Sequence, residues 1–140
     1  MTRPEKRFAV PEAILTILLI ASSGAASADW IMASESDAAT VYVDPATILR
    51  TGDRATLMEL TDYKAVPDPA RPYKSARRSY QFDCNEGAYR PLSMVMFAEN
   101  MAAGEMVLIV NDPAQWLLFT PGTVSELLWK IACRMPANPG

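Results

Sequence analysis

KSARRSYQFDC, Lys74 to Cys84, alternates along its whole length. Side chains of an extended strand point to opposite faces in turn, so Arg78, Tyr80, Phe82 and Cys84 share one face and Arg77, Ser79, Gln81 and Asp83 the other. The Tyr80–Phe82–Cys84 side is the core face in this reading, which buries the cysteine at the strand's end. The only other cysteine is Cys133, 49 positions later. What this pair of cysteines does decides how the rest of the chain is held.

The chain has no histidine. That removes the commonest general base and the commonest metal ligand near neutral pH. A cysteine nucleophile needs a base or a cation beside it, and the neighbour here is the anion Asp83. Two cysteines without histidine fall short of the four ligands of a structural zinc. No phosphate-binding glycine loop and no serine-hydrolase elbow is present. Neither a catalytic residue, a metal nor a cofactor is expected.

The N-terminus supplies the compartment. Arg3, Lys6 and Arg7 precede the apolar run AILTILLIA, residues 13–21, and Ala26-Ser27-Ala28 follows. A basic start, a short apolar run and an A-x-A site read as a secretory signal over residues 1–28, with cleavage between Ala28 and Asp29. A membrane span needs ~20 apolar residues, about twice this run. No cysteine lies near the cleavage site to carry a lipid. The expectation is an exported protein, periplasmic or secreted, with one domain over residues 29–140 and no later transmembrane segment. In such a chain two cysteines most often pair, so Cys84–Cys133 is read as a disulfide, with intermolecular pairing as its rival.

Period-two stretches fill most of the remainder. DWIMAS (29–34) and ATVYVD (39–44) read as the first two strands, with Asp44-Pro45 opening a turn and Thr51-Gly52-Asp53 closing one. RATLMELTDYK (54–64) is a third strand. The loop AVPDPARPY carries Pro67, Pro69 and Pro72 and cannot be a central strand. Lys74–Cys84 is the fourth, and the turn NEG (85–87) leads to a fifth from Tyr89, where Pro91 calls for an edge or a bulge. EMVLIVN (105–111) is the sixth, reached through a turn around Gly104.

Then the period changes. In PGTVSELLWKIAC, Thr123 stands three residues before Glu126, a capping box. Val124, Leu127, Leu128, Ile131 and Ala132 fall on one face of the helix that follows, with Cys133 at its last turn and Trp129 at the rim of the core. The fold class is therefore α+β: a single antiparallel sheet of about six strands packed on one C-terminal helix.

Several short motifs share an order. VYVD (41–44), DYK (62–64), Ser75, DC (83–84), YRPLS (89–93), Trp116 and PGT (121–123) ahead of a helix ending at Cys133 resemble the surface-adhesin protein E-like domain family of small exported bacterial proteins. The resemblance covers nearly all of residues 29–140. It implies the same sheet-and-helix architecture and an adhesin-like role, with host matrix or another envelope protein as partner. The family is named for a surface lipoprotein, and this chain lacks the lipidated cysteine.

Charge points to one segment. Without residues 1–28 the chain carries ten basic and fourteen acidic residues, a poor match for nucleic acid, whose binding rests on phosphate neutralisation. Lys64, Arg71, Lys74, Arg77, Arg78 and Arg90 cluster within this acidic chain. Arg71, Lys74, Arg77 and Arg78 are the candidate contacts for a protein or an anionic glycan, against the plainer reading of a solvated sheet face. Asp44, Asp62 and Asp83 sit at strand ends, where aspartate bonds local backbone. The expected function is a non-enzymatic binding module. Its rivals are a periplasmic structural or assembly factor and, disfavoured by the missing histidine, an enzyme of unknown type. A dimer is compatible with the sequence, which carries no signature for or against one.

Overall fold

The computed structural model describes residues 29–134. The signal segment and its cleavage site at Ala28 fall outside the described residues, apart from Asp29. Seven strands and one helix follow in order: β1 (Ile31–Glu35), β2 (Ala39–Thr51), β3 (Arg54–Tyr63), β4 (Ser75–Asp83), β5 (Ala88–Phe97), β6 (Met106–Val110), β7 (Leu117–Leu118) and α1 (Val124–Arg134). The sheet is a meander in which each of β1 to β6 pairs antiparallel with the next, and β7 pairs with the start of β5. Such local pairings need only short turns.

The alternation read in β4 holds. Phe82 lies opposite Ala55 and Tyr89, and Tyr80 opposite Leu57, all on the face that α1 covers. Val41, Val43, Ile48, Leu57 and Phe82 form the core there with Leu128 and Ala132 of the helix. Burying side chains of this size contributes roughly 1.5–3 kcal/mol each. Val124, expected on the apolar stripe, is exposed instead, because the helix settles on the sheet only from its second turn.

β2 departs from the sequence reading. It does not end in a turn at Asp44-Pro45 but continues to Thr51, with a break of register between Asp44 and Leu49. The extra residues form a bulge. Asp44 Oδ1 accepts the Ala46 N–H at 3.1 Å, and Thr47 Oγ1 donates to the Asp44 carbonyl while accepting the Met58 N–H at 2.9 Å. Side chains thus replace the ladder bonds that Pro45 and the bulge interrupt. The bulge also drives Ile48 into the core, where it is 1% exposed. Pro91 has the anticipated effect: a register shift divides Ser79–Ser93 from Tyr80–Pro91.

The helix is fixed at both ends. Thr123 Oγ1 accepts the Glu126 N–H at 3.4 Å, while Glu126 reaches back to the Gly122 N–H at 3.0 Å, one residue earlier than a standard capping box. At the other end the Arg50 guanidinium donates to the Cys133 carbonyl at 2.8 Å, a cation at a helix C-terminus. The Cys84–Cys133 disulfide closes the same corner, with Cα atoms 5.5 Å apart. Trp129 sits at the core rim as expected. Its indole donates to the Asp83 carbonyl at 2.8 Å and its ring meets Phe119 at 5.3 Å. Gly87, at φ 66°, is needed twice over, since a Cβ there would lie 3.3 Å from the Phe119 ring.

Candidate functional site

Two loops meet at one end of the sheet. Residues 64–74 join β3 to β4 and hold the three prolines. Asp68 organises their middle, its carboxylate accepting the Ala70 N–H at 3.0 Å and its carbonyl the Arg71 N–H at 3.0 Å. Residues 98–105 join β5 to β6. Here Met101 and Ala102 both take left-handed backbone, φ 56° and 59°. That conformation costs roughly 1–2 kcal/mol for each residue with a Cβ, so it persists only where other contacts hold it.

Those contacts come from the neighbouring strands and loop. Asp62 Oδ1 accepts the Met101 N–H at 2.8 Å and the Asn100 side-chain amide at 3.0 Å. The same amide donates to the Tyr63 carbonyl at 3.0 Å. Ser75, fully buried, donates to the Glu99 carbonyl at 2.6 Å and accepts the Ala102 N–H at 2.9 Å. Lys74 closes the seam, its N–H donating to the Phe97 carbonyl and its ammonium lying 3.6 Å from Glu99. The 98–105 loop is thus braced against the ends of β3 and β4 and, through Lys74, against the end of the proline loop. Val66 and Met101, 38% and 42% exposed, stand apolar on the rim they form.

The four candidate cations do not gather. Arg71 is exposed in the proline loop and Lys74 lies at the seam. Arg77 is on the face away from α1, half-buried rather than free in solvent, its guanidinium 5.3 Å from the centre of the Phe97 ring. Arg78 is on the other face and is engaged. It pairs with Glu59 at 3.4 Å and donates to Thr61 at 3.1 Å and to the Tyr63 hydroxyl at 3.2 Å. Strand alternation alone separates these neighbours.

Glu59 is 2% exposed, and burial raises its pKa despite the opposing Arg78 charge and the hydrogen bond that Thr61 donates to it. Burial alone would favour a neutral Arg78, but the Glu59 charge overrides it and holds the guanidinium protonated. Tyr80 beside them is pushed up to about 12 by burial first and then by the Glu59 charge. Tyr63 carries the chain of contacts outward to Tyr73 of the proline loop, ring centres 5.5 Å apart. Below Arg78, a groove of about 210 Å³ opens between Tyr80, Pro91, Met94 and Val110.

Asp44 and Asp83 accept local backbone N–H groups, as does Asp62 from the facing hairpin. Among the described residues no cluster of carboxylates and cysteines is arranged to hold a metal ion. None of the described helices is long and apolar enough to cross a membrane. The left-handed pair at Met101 and Ala102 escaped the sequence reading, since neither residue type signals that conformation. The only cue was the turn around Gly104.

The comparisons agree with this architecture. The family model described as surface-adhesin protein E matches residues 30–134, and the chain belongs to that family. The selenomethionine form of protein E from Haemophilus influenzae is similar in structure, with a TM-score of 0.58 at 16% identity, covering 78% of this chain and 88% of that one. Crystal form II of the same protein gives 0.56 at 15% identity, covering 78% and 90%. Protein E from a non-typeable strain gives 0.51 at 16% identity, covering 79% of each. At these identities the likeness establishes the fold. No curated protein sequence matches.

Proposed function

We propose that this member of the surface-adhesin protein E family is an exported, non-enzymatic binding protein whose partner docks on the edge built by residues 64–74 and 98–105. The observation that carries the reading is the strained, cross-braced hairpin at Met101 and Ala102. Strain held in place by neighbouring strands is a feature of recognition loops, because a pre-formed surface gives up less entropy on binding. The prolines stiffen the facing loop in the same way. The groove beside Arg78 falls below the ~300–1,000 Å³ of small-molecule sites and suits a side chain of a protein partner. The family's adhesin name favours a host matrix protein or another envelope protein as partner; at this edge an anionic glycan would meet chiefly Arg71 and Lys74.

Export is tested first. Mass spectrometry of the mature protein should find Asp29 at its start, and an intact Met1 in an envelope fraction would overturn the signal segment. Protease shaving of intact cells then separates the two binding readings. A surface adhesin is removed, whereas a periplasmic structural or assembly factor is spared.

Charge reversal tests the edge. Immobilised matrix proteins and the cell's own envelope fraction serve as probes. Lys74→Glu with Arg77→Glu should weaken binding about tenfold at low salt and flatten its salt dependence, because a charge-steered contact is screened by ions. Lys74→Glu alone should hardly move thermal stability, since the Lys74–Glu99 pair is exposed, whereas Arg77→Glu also gives up the contact with the Phe97 ring, so a melt of each single variant separates lost binding from lost folding. Unchanged affinity at low salt would make this strand a solvated face and nothing more.

A further inference from the structure

At the end of the sheet opposite the two loops, Trp116 carries two guanidinium groups. Arg54 lies 4.6 Å from the centre of its ring and Arg90 lies 4.9 Å from it. The two arginines start from different strands, β3 and β5, and both point away from α1, as their neighbours Ala55 and Tyr89 point toward it. Trp116 precedes Leu117, the partner of Tyr89, and therefore emerges on the arginine face.

The charge here is under-compensated. Arg90 spends its Nε–H on the neutral Gln81 amide at 2.9 Å, and among the described residues no carboxylate lies within ion-pair range of it. Arg54 has only Asp83, at 3.6 Å, and the other oxygen of Asp83 already accepts the N–H groups of Asn85 and Glu86 at 3.0 and 3.1 Å. Stacking on an indole fixes a guanidinium while leaving its in-plane N–H groups free, the geometry that receives a carboxylate through two hydrogen bonds. In a chain that is acidic overall, two such groups on one ring form a local anion receptor.

Beside the receptor lies an open strand edge. β7 pairs only with β5 among the described residues, and its Leu117 and Leu118 are exposed, the latter at 77%. An edge of this kind accepts an extended peptide as an added strand. A peptide along β7 would turn alternate side chains toward Arg54 and Arg90 and the others toward the opposite face. We propose that Arg54, Trp116 and Arg90, with the β7 edge, form a docking site for an extended segment of a partner protein in which acidic residues alternate with apolar ones. A polysaccharide could meet the arginines but has neither the backbone donors nor the apolar side chains that the edge suits. The site stands at the far end of the sheet from residues 64–74 and 98–105, so either can fail without the other.

The test titrates the whole exported protein with a fluorescein-labelled octapeptide of alternating leucine and glutamate. The same peptide with glutamine for glutamate and a sulfated dextran are the comparisons. Saturable binding is expected, about tenfold weaker for the glutamine peptide and about tenfold weaker again in Arg90→Gln. Arg90→Lys should fall between, since it keeps the charge and loses the planar fork. Binding should also perturb the Trp116 indole N–H resonance in an NMR spectrum. Thermal melts of each variant separate lost binding from lost folding, and Arg54→Gln repeats the measurement should Arg90→Gln unfold. Equal binding of both peptides would overturn the proposal. So would sulfated dextran binding through Arg90 where the peptide does not bind, or Arg90→Gln dissolving a dimer of this chain while leaving peptide affinity unchanged.

Discussion

Replacing Cys84 and Cys133 together with alanine should lower the free energy of unfolding by about 2–5 kcal/mol, read from chemical denaturation of the oxidised parent and the variant. The bridge spans 49 residues of sequence. Closing a loop of that length in the unfolded chain contributes about 4 kcal/mol in the chain-entropy account. A domain of this size has only about 5–15 kcal/mol to lose, so the effect decides whether the fold survives mild heating. The damage should start at one corner. Cys84 follows the end of β4, Cys133 lies in the last turn of α1, and Trp129 bonds to the Asp83 carbonyl beside them. Trp129 emission should therefore change before the sheet signal is lost. The bonds from Arg50 to the Cys133 carbonyl and from Trp129 to the Asp83 carbonyl then hold that corner without the bridge. Free thiols in the unreduced, denatured parent, or a loss below ~1 kcal/mol, would show that the bridge contributes little.

Arg78→Met is the second large effect, about 3–5 kcal/mol near pH 7, because it leaves Glu59 charged, buried and unpaired. Its pH dependence has a definite sign. Glu59 titrates above its ordinary value in the folded protein, so the folded state binds its proton more readily than the unfolded state does. Its contribution therefore favours folding as pH falls through the raised pKa toward the unfolded value, and turns against folding as pH rises. Without Arg78 the upward shift grows. The gap between variant and parent should narrow steadily from neutral to mildly acidic pH. Adding Glu59→Gln to Arg78→Met should recover most of the loss at pH 7 and flatten the profile. A gap that stays constant with pH would assign the cost to lost packing of the arginine stem rather than to the stranded carboxylate.

Both effects involve residues whose pairing the sequence reveals unequally. The cysteines are the only two in a chain whose start reads as an export signal, so their partnership could be read directly. Arg78 was placed on the core face by alternation, yet Glu59 as its partner depended on strand register, which period alone does not supply. Most of the sheet was legible because period-two segments were separated by glycine and proline. The β2 bulge was not, since Asp-Pro signals a turn, whereas the Asp44 and Thr47 side chains help carry the strand across the bulge. β7 has two residues, too few for a period. The strongest feature of the basic site is a meeting of Arg54, Arg90 and Trp116 from three separate segments, and no local pattern encodes it. Of the loop edge, the prolines could be read; the brace by Asp62, Asn100 and Ser75 could not.

The bridge also decides how the protein bears tension. A pull applied between residues 29 and 134 passes along β1 to β4, crosses at Cys84–Cys133 and leaves through the last residues of α1. The segment between the two cysteines is bypassed, which withholds roughly 170 Å of extended chain from the load. β5, β6, β7 and the hairpin at Met101 lie within that bypassed segment, as do Arg90 and Trp116. The proline loop lies in the stressed half. Such a pull would thus stretch residues 64–74 while residues 98–105 stay slack, and reduction of a single covalent bond would transfer the force to both.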